Sequence, residues 1–421
     1  MIGAVQAGAK VGAKDARAGG PSDPREAPPN VGRRVVDGHN DLPWALRRGA
    51  GSDVGPFGRP DGDPAEPANL PSTTLARLRA GGVGGQFWSV FVPSTLPTHE
   101  AVTGTLEQVD TVHRLVAAHP DDLALVTAAD EVGAAWATGR IASLIGAEGG
   151  HSIGCSLGAL RALHRLGVGY LTLTHNDNTP WAGSATDEPV PGGLTRFGAE
   201  VVAEMNRLGM LVDLSPVSID TMHAALDVSV APVIFSHSSA RAVTDAVRNV
   251  PDDVLVRMAA GGGVCMVTFV PDFVNDDVRT WQAEAAGAAA HDGVAETDWV
   301  ALTAWLPSYL PRHPRPTASI GDVVRHLDHV RDVAGADHVG LGGDHDGTDS
   351  MPVGLEDVSG YPRLLDALAD GGWSEADLTK LAHGNIIRVL RDAEAVARDL
   401  SAGRGPSRAT IAELDGIPEP L

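Results

Sequence analysis

Along this 421-residue chain, short apolar runs, some alternating and some continuous, are separated by longer stretches in which apolar residues recur at helical spacing. The short runs fall at residues 35–41 (VVDGHND), 86–92 (QFWSVFV), 141–148 (IASLIGAE), 170–175 (YLTLTH), 211–215 (LVDLS), 232–237 (PVIFSH), 263–269 (GVCMVTF) and 338–344 (HVGLGGD), and they predict eight strands. Helical period marks 106–118, 157–166, 195–208, 218–226, 254–260 and 320–333. Strand–helix alternation of this kind predicts a parallel sheet, because each parallel neighbour needs a crossover. Eight units over this length predict an α/β TIM barrel, an eight-stranded parallel β/α barrel. A doubly wound open sheet is the competing arrangement, but no Gly-x-Gly-x-x-Gly loop follows the first run.

The pattern also marks what lies outside the barrel. Residues 1–30 are rich in Ala, Gly, Pro and charge, without periodicity, and predict a flexible tail. A Gly/Pro/Asp-rich loop spans 49–71 on the side of the first run where His39 and Asp41 sit. The barrel is expected over 31–400, with a helical lid inserted at 275–316 and an irregular extension over 401–421.

Composition narrows the partners. Hydrophobic residues make up 43% of the chain, enough for a large buried core, and a formal net charge of -22 argues against nucleic acid and anionic membrane. Cys155 and Cys265 sit singly in apolar segments and predict small core residues, with neither a disulfide nor a thiolate zinc site. With no leader-like apolar stretch in residues 1–30 and no later run of membrane-spanning length, the expectation is a soluble, cytoplasmic protein.

Chemistry gathers at the ends of the predicted strands. Alternate side chains of an extended segment share a face, so His39 and Asp41 point the same way and offer a nitrogen and an oxygen donor together, half of a metal site. Glu148 ends the third predicted strand, His175 the fourth, His237 the sixth, and Asp344 with Asp346 the eighth. Barrel enzymes build their active sites at these carboxyl ends, and such a convergence points to metal-dependent catalysis. Imidazole and carboxylate donors without thiolate suit Zn²⁺, with Mn²⁺ or another borderline ion as alternatives. Many two-metal hydrolytic barrels bridge their ions through a carbamylated lysine, but none of Lys10, Lys14 and Lys380 ends a strand. A carboxylate has to bridge instead, and Glu148 is the candidate.

With these stretches in view, the chain resembles the membrane (renal) dipeptidase family of zinc metallopeptidases, as a soluble bacterial-type member. The matching stretches are 37–44 (DGHNDLPW), 146–152 (GAEGGHS), 171–181 (LTLTHNDNTPW), 233–239 (VIFSHSS), 248–253 (RNVPDD), 340–347 (GLGGDHDG) and 384–389 (GNIIRV), in family order. The resemblance implies a metal-dependent hydrolase barrel in which His39 and Asp41 hold a first metal, Glu148 bridges and His237 holds a second. It implies Asp344 as the proton-transferring acid/base, His175 as the group that stabilises the tetrahedral intermediate, and Arg248 as the grip on the substrate's terminal carboxylate. Each role has a physical reason. Two cations acidify a shared water and polarise the scissile carbonyl, a carboxylate can take the water's proton and pass it to the leaving amine, and an Arg can hold a carboxylate bidentately. The implied reaction is hydrolysis of a dipeptide or dipeptide-like amide, L,D forms included, by a protein that can pair as a homodimer.

One position departs from the family. Within 212–218 (VDLSPVS) the family carries a histidine, the second ligand of the second metal, where this chain has Pro216. Proline has no donor side chain. The second site is left with Glu148, His237 and water unless His175, which faces the site, swings in. His223 lies about 10 Å further along a helix, and His345 points away from Asp344 by alternation and is expected to pack between barrel and helix. Three readings follow: a dipeptidase with one tight metal and one weak or absent, and, kept open by Pro216, a mononuclear enzyme for a specialised amino-acid-derived amide and a binding homologue without turnover.

Overall fold

The computed structural model of the chain describes residues 33–59, 71–294 and 299–418, so the tail expected at 1–30 lies outside the described residues. Nine strands form one sheet: β1 (Val35–Asn40), β2 (Val83–Phe91), β3 (Leu123–Leu125), β4 (Ile141–Glu148), β5 (Val168–Thr172), β6 (Leu211–Asp213), β7 (Ile234–Phe235), β8 (Val264–Val267) and β9 (Val339–Leu341). Their order is β2-β1-β9-β8-β7-β6-β5-β4-β3, and β2 also pairs with β4. That last pairing closes eight parallel strands into a TIM barrel and leaves β3 outside it. The eight barrel strands coincide with the eight apolar runs.

Strand β3 is an addition to the predicted set. It pairs with residues 141–143 of β4, on the edge that β5 takes further along, while β2 runs along the other edge. Three residues, of which only Leu123 is fully buried, carry too little pattern to read as a strand. The helix before it is also longer than its period suggests, running Thr98–Ala118.

The barrel's two faces follow from strand alternation. Phe87, Leu144, Tyr170, Ile234 and Met266 form one cluster with Ile386 and Val389 of the helix Asn385–Gly403. Their chain neighbours Trp88, Ile145, Leu171, Phe235 and Val267 belong to a second, larger cluster, with Leu160, Phe197, Leu255 and Leu327 of the surrounding helices. Glu148 shares its strand face with Leu144, which aims it along the inside of the barrel.

The seams of the barrel are unequal. Strands β2 and β4 share seven consecutive pairs, from Gly85 opposite Ala142 to Phe91 opposite Glu148. Strands β6 and β7 share one pair, Asp213 with Ile234, and β1 and β9 share one, Asp37 with Leu341. At each one-pair seam a fully buried aspartate supplies the acceptors that the ladder lacks. Asp213 accepts from Ser215 N (3.2 Å), Ser236 N (2.9 Å), Ser236 Oγ (2.7 Å) and Thr172 Oγ1 (2.5 Å). Asp37 accepts from His39 N (3.2 Å), Gly343 N (2.9 Å) and the Tyr361 hydroxyl (2.7 Å). Several strands therefore end before their apolar runs do, and the residues beyond them turn into the loops that bear the site.

Two helices, Asp276–His291 and Trp299–Tyr309, lie between β8 and β9, packed through Trp281 and Leu306, with Arg315 stacked over the Trp281 ring at 4.7 Å. The extension beyond residue 401, expected to be irregular, instead carries a short helix, Ile411–Asp415. Ile411 is buried, and the Asp415 carboxylate accepts from Arg196 N and Phe197 N, both at 3.1 Å, capping the helix Arg196–Leu208. Cys265 is buried on β8 and Cys155 is half-buried, and no disulfide joins them. No helix among the described residues is long and apolar enough to cross a membrane.

Candidate metal centre

The site begins at the carboxyl end of β1. Asp41 immediately precedes the helix Leu42–Ala50, where a carboxylate commonly caps the first turn, yet it makes no capping bond. Asn40 caps the turn instead, its Oδ1 accepting from Leu42 N at 2.9 Å while its Nδ2 donates to Thr73 Oγ1 at 2.7 Å. The Asp41 carboxylate is left to face His39, with Oδ2 3.4 Å from Nε2. On the other side of that ring, Nδ1 lies 2.9 Å from the Tyr170 hydroxyl, which donates to Gly38 O at 3.3 Å. With its proton committed, the phenol oxygen accepts from Nδ1–H and leaves Nε2 as the lone-pair nitrogen toward the site. Tyr170 reaches this position because Gly146 has no side chain; a Cβ there would lie 1.9 Å from the ring's Cζ.

Glu148, at the end of β4, is the centre of the cluster. Its Oε2 lies 3.5 Å from His39 Nε2 and accepts from Ser89 Oγ at 3.2 Å, and its Oε1 lies 3.5 Å from both His175 Nε2 and His237 Nε2. His237 is backed by a relay: its Nδ1 lies 2.8 Å from Ser236 Oγ, which donates to Asp213 Oδ2. Nδ1–H is therefore the donor, and Nε2 is again the lone-pair nitrogen.

Arg248 reaches the site from the loop after β7. Asn249 pins that loop by accepting from Ser239 N (3.1 Å) and donating to Thr244 O (2.9 Å) and Phe273 O (2.7 Å). The Arg248 guanidinium stacks on the Phe273 ring at 5.1 Å and its Nη2 lies 2.8 Å from His237 Nε2. Asp344 arrives from beyond β9 with a left-handed backbone (φ 60), a conformation Asp tolerates better than most residues, and its N–H bonds to His39 O at 3.2 Å.

One donor atom each from His39, Asp41 and Asp344 lie within 4.8 Å of one another, and the same holds for His39, Glu148 and His237. His39 Nε2 and Asp41 Oδ1 are buried without a hydrogen-bond partner among the described residues, although buried polar atoms are nearly always paired. The charges are strongly perturbed. Burial acts against protonation of His39, yet Tyr170, Glu148 and Asp41 outweigh it and raise its pKa well above the ordinary value. Burial acts to raise Glu148, but His39, His175 and His237 hold it well below the usual carboxylate range. Burial, with Asp41 and Glu148 beside it, pushes Asp344 well up, and burial pulls His175 down to about 4. Three carboxylates crowded around site-facing imidazole nitrogens fit a divalent cation, which would take the place of the proton that those carboxylates favour on His39.

Asp41, Glu148, His175, His237, Arg248 and Asp344 surround one cavity of about 250 Å³, with His39 fully buried beside it. Val278 and Gln282 of the inserted helix Asp276–His291 also line it, as do Trp44, Phe91 and Arg315. Asp346, expected near this group, is turned away and accepts from Ser72 Oγ at 2.9 Å. Pro216 is buried off the cavity wall, its carbonyl accepting from Thr174 Oγ1 at 2.6 Å. His223 lies outside the site, 3.2 Å from Asp253 and 2.7 Å from Arg257. His345 packs edge-on between Phe269 and Tyr361, each ring 5.9 Å away. Sequence reading missed Tyr170, Ser236 and Asp213. An aspartate set among apolar residues, as in VDL at 212–214, was the available signal, since a buried carboxylate must find donors.

A parallel β/α barrel with a buried imidazole–carboxylate cluster at the carboxyl ends of its strands defines a metal-dependent hydrolase. The model of the membrane dipeptidase family, peptidase family M19, matches residues 31–404, and the chain belongs to that family. Among solved structures it is similar to the dipeptidase AC, a metallopeptidase of family M19, with 27% identity, a TM-score of 0.71, and coverage of 86% of this chain and 98% of that one. A metallopeptidase from Rhodobacter sphaeroides, solved with a phosphinate mimic of the dipeptide L-Ala-D-Ala, matches with 26% identity, a TM-score of 0.70, and coverage of 86% and 99%. The probable dipeptidase PvdM from Pseudomonas aeruginosa shares the fold, with 21% identity, a TM-score of 0.73, and coverage of 87% and 97%.

Proposed function

We propose that the chain hydrolyses the amide bond of a dipeptide, or of a dipeptide-like compound with a free carboxylate. His39 and Asp41 would hold the tight divalent cation, Zn²⁺ or a similar borderline ion, with Glu148 beside them. The observation that carries this reading is the shared cavity: the buried donor set and the guanidinium of Arg248 open onto the same 250 Å³ space, small enough to select small substrates. When bound, such a cation acidifies a water and polarises the scissile carbonyl.

The chain's own groups divide the remaining work. The Arg248 guanidinium, on the cavity wall, donates to the substrate's terminal carboxylate and sets which bond lies over the donor set. His175, on the cavity wall beside Glu148, faces the carbonyl oxygen and stabilises its developing charge. Asp344 takes the proton from water and delivers it to the departing amine. Phe91 and Trp44, edge to face at 5.2 Å, form an apolar wall on the His175 side that excludes water. The phosphinate-bound relative supports including L,D dipeptides among the candidates.

The test is a panel of L,L and L,D dipeptides and their carboxyl-terminal amides, assayed with the Zn²⁺-loaded protein. Hydrolysis of the free acids, with the amides at least ~10-fold poorer through loss of a charged partner, is expected. Turnover of none of the panel by protein with bound metal would overturn the reading. A second reading, a mononuclear enzyme for a specialised amide, is favoured by Pro216, and it predicts turnover outside this panel with the same dependence on a carboxylate.

A further inference from the structure

The two donor groups of the centre compete for one nitrogen. Both include His39, and that ring has only Nε2 to give, because its Nδ1 is engaged by the Tyr170 hydroxyl. A cation built on His39 and Asp41 therefore leaves a second ion with Glu148 and His237, one donor short of the three protein ligands typical of catalytic zinc sites, and His175, although 3.5 Å from Glu148, belongs to neither donor group. Pro216 adds no donor. The site-facing nitrogen of His237 is already engaged, since Arg248 Nη2 donates to it at 2.8 Å. Arg248 is 9% exposed, and no ion pair joins its guanidinium to a carboxylate among the described residues. An arginine stays charged where a lysine would lose its proton on burial.

Resting on the hydrolase reading above, we infer that Arg248 serves as the built-in second cation of this centre: its guanidinium takes the place of a second metal against His237 and Glu148, and the protein works with one divalent ion. In this role Nη2 holds His237 while the rest of the guanidinium on the cavity wall remains for the substrate's carboxylate. A second divalent ion is then excluded by charge repulsion and by occupancy of its best ligand.

The test is titration of the metal-stripped full chain with Mn²⁺, followed by equilibrium dialysis and electron paramagnetic resonance. The parent is expected to bind one equivalent with the spectrum of an isolated ion. In Arg248→Ala a second equivalent binds at least ~10-fold more tightly than in the parent, and a spin-coupled pair appears. Arg248→Lys, whose amine loses its proton on burial, moves toward Arg248→Ala rather than staying with the parent. Two tight, coupled equivalents in the parent would overturn the inference, as would an unchanged second event in Arg248→Ala.

If Arg248→Ala does not fold, His237→Gln serves in its place. It should leave the affinity for the single ion within ~3-fold, and a loss of ~10-fold or more, the size expected for a direct ligand, overturns the inference. Failure of the hydrolase reading looks different: one ion bound as described, with no dipeptide turned over.

Discussion

The seam between β2 and β4 and the seam between β6 and β7 solve the same problem in different ways. The first is a ladder of seven pairs that aims Glu148 at the cavity, with Ser89 on the neighbouring strand donating to its carboxylate. The second has one pair, and Asp213 does the joining, gathering Ser215 N, Ser236 N and two hydroxyls onto one buried carboxylate. A long ladder holds a side chain where the strand points it. A short ladder lets the chain leave the barrel early, so that His237 lines the cavity, at the cost of backbone N–H groups that need an acceptor from elsewhere. Glu148 is thus placed by a long main-chain ladder, whereas His39, at the one-pair seam that Asp37 joins, and His237 with Arg248 depend on side-chain hydrogen bonds.

The sharpest way to break this contrast is to remove the carboxylate. Asp213→Ala leaves four donors without their acceptor in a buried seam, and a loss of about 4 kcal/mol in a denaturant titration is expected, against about 1–2 kcal/mol for Asp213→Asn, whose amide retains one acceptor. Equal losses for the two variants would show that the site is held by packing rather than by hydrogen bonds. His326 is a second side-chain tie, its Nδ1 accepting from Ala240 N at 3.1 Å just beyond β7. Burial draws its pKa from 6.5 down to about 4. The folded protein therefore refuses a proton that the unfolded chain takes up below pH 6.5, and stability falls as the pH drops from 6.5 toward 4, by up to ~3 kcal/mol. His326→Gln should remove that part of the pH slope; a slope unchanged from the parent counts against the assignment.

At His39, Tyr170→Phe keeps the ring and removes only the hydroxyl behind the imidazole. Metal affinity, measured by chelator competition, should fall ~10-fold or more, as it does when a partner behind a ligand is lost. The smallest effect is expected inside the long ladder. The Ser143 hydroxyl on β4 is buried without a hydrogen-bond partner among the described residues. Ser143→Ala should be neutral or stabilising by about 1 kcal/mol, and a substantial loss would show a partner that the ladder picture omits.

The same contrast explains what could be read from the sequence. Strand alternation and apolar runs identify the eight barrel strands, and the titratable residues at their ends, from His39 to Asp344, are visible because they interrupt apolar runs. Arg248 lies in a loop with no period, and only the family resemblance picks it out. Asp213 and Asp37 were overlooked because their partners, Ser236 and Gly343, are distant in sequence and become neighbours only once the barrel closes. Asp346 was misplaced for a related reason. It sits two residues after Asp344, but both have positive φ (68 and 60), so simple strand alternation no longer decides where either side chain points.

Strand β3 bears on behaviour in concentrated solution. It lies at the end of the sheet order, outside the closed barrel, and β4 is its one ladder partner among the described residues. A closed barrel has no edge to offer another chain, so β3 is where this sheet could recruit a foreign strand. Its three-residue length limits that template, and Asp121 and Asp122 just before it place charge at its start. Replacing those aspartates with β-branched residues would lengthen the edge and turn a minor ornament of the fold into its principal aggregation hazard.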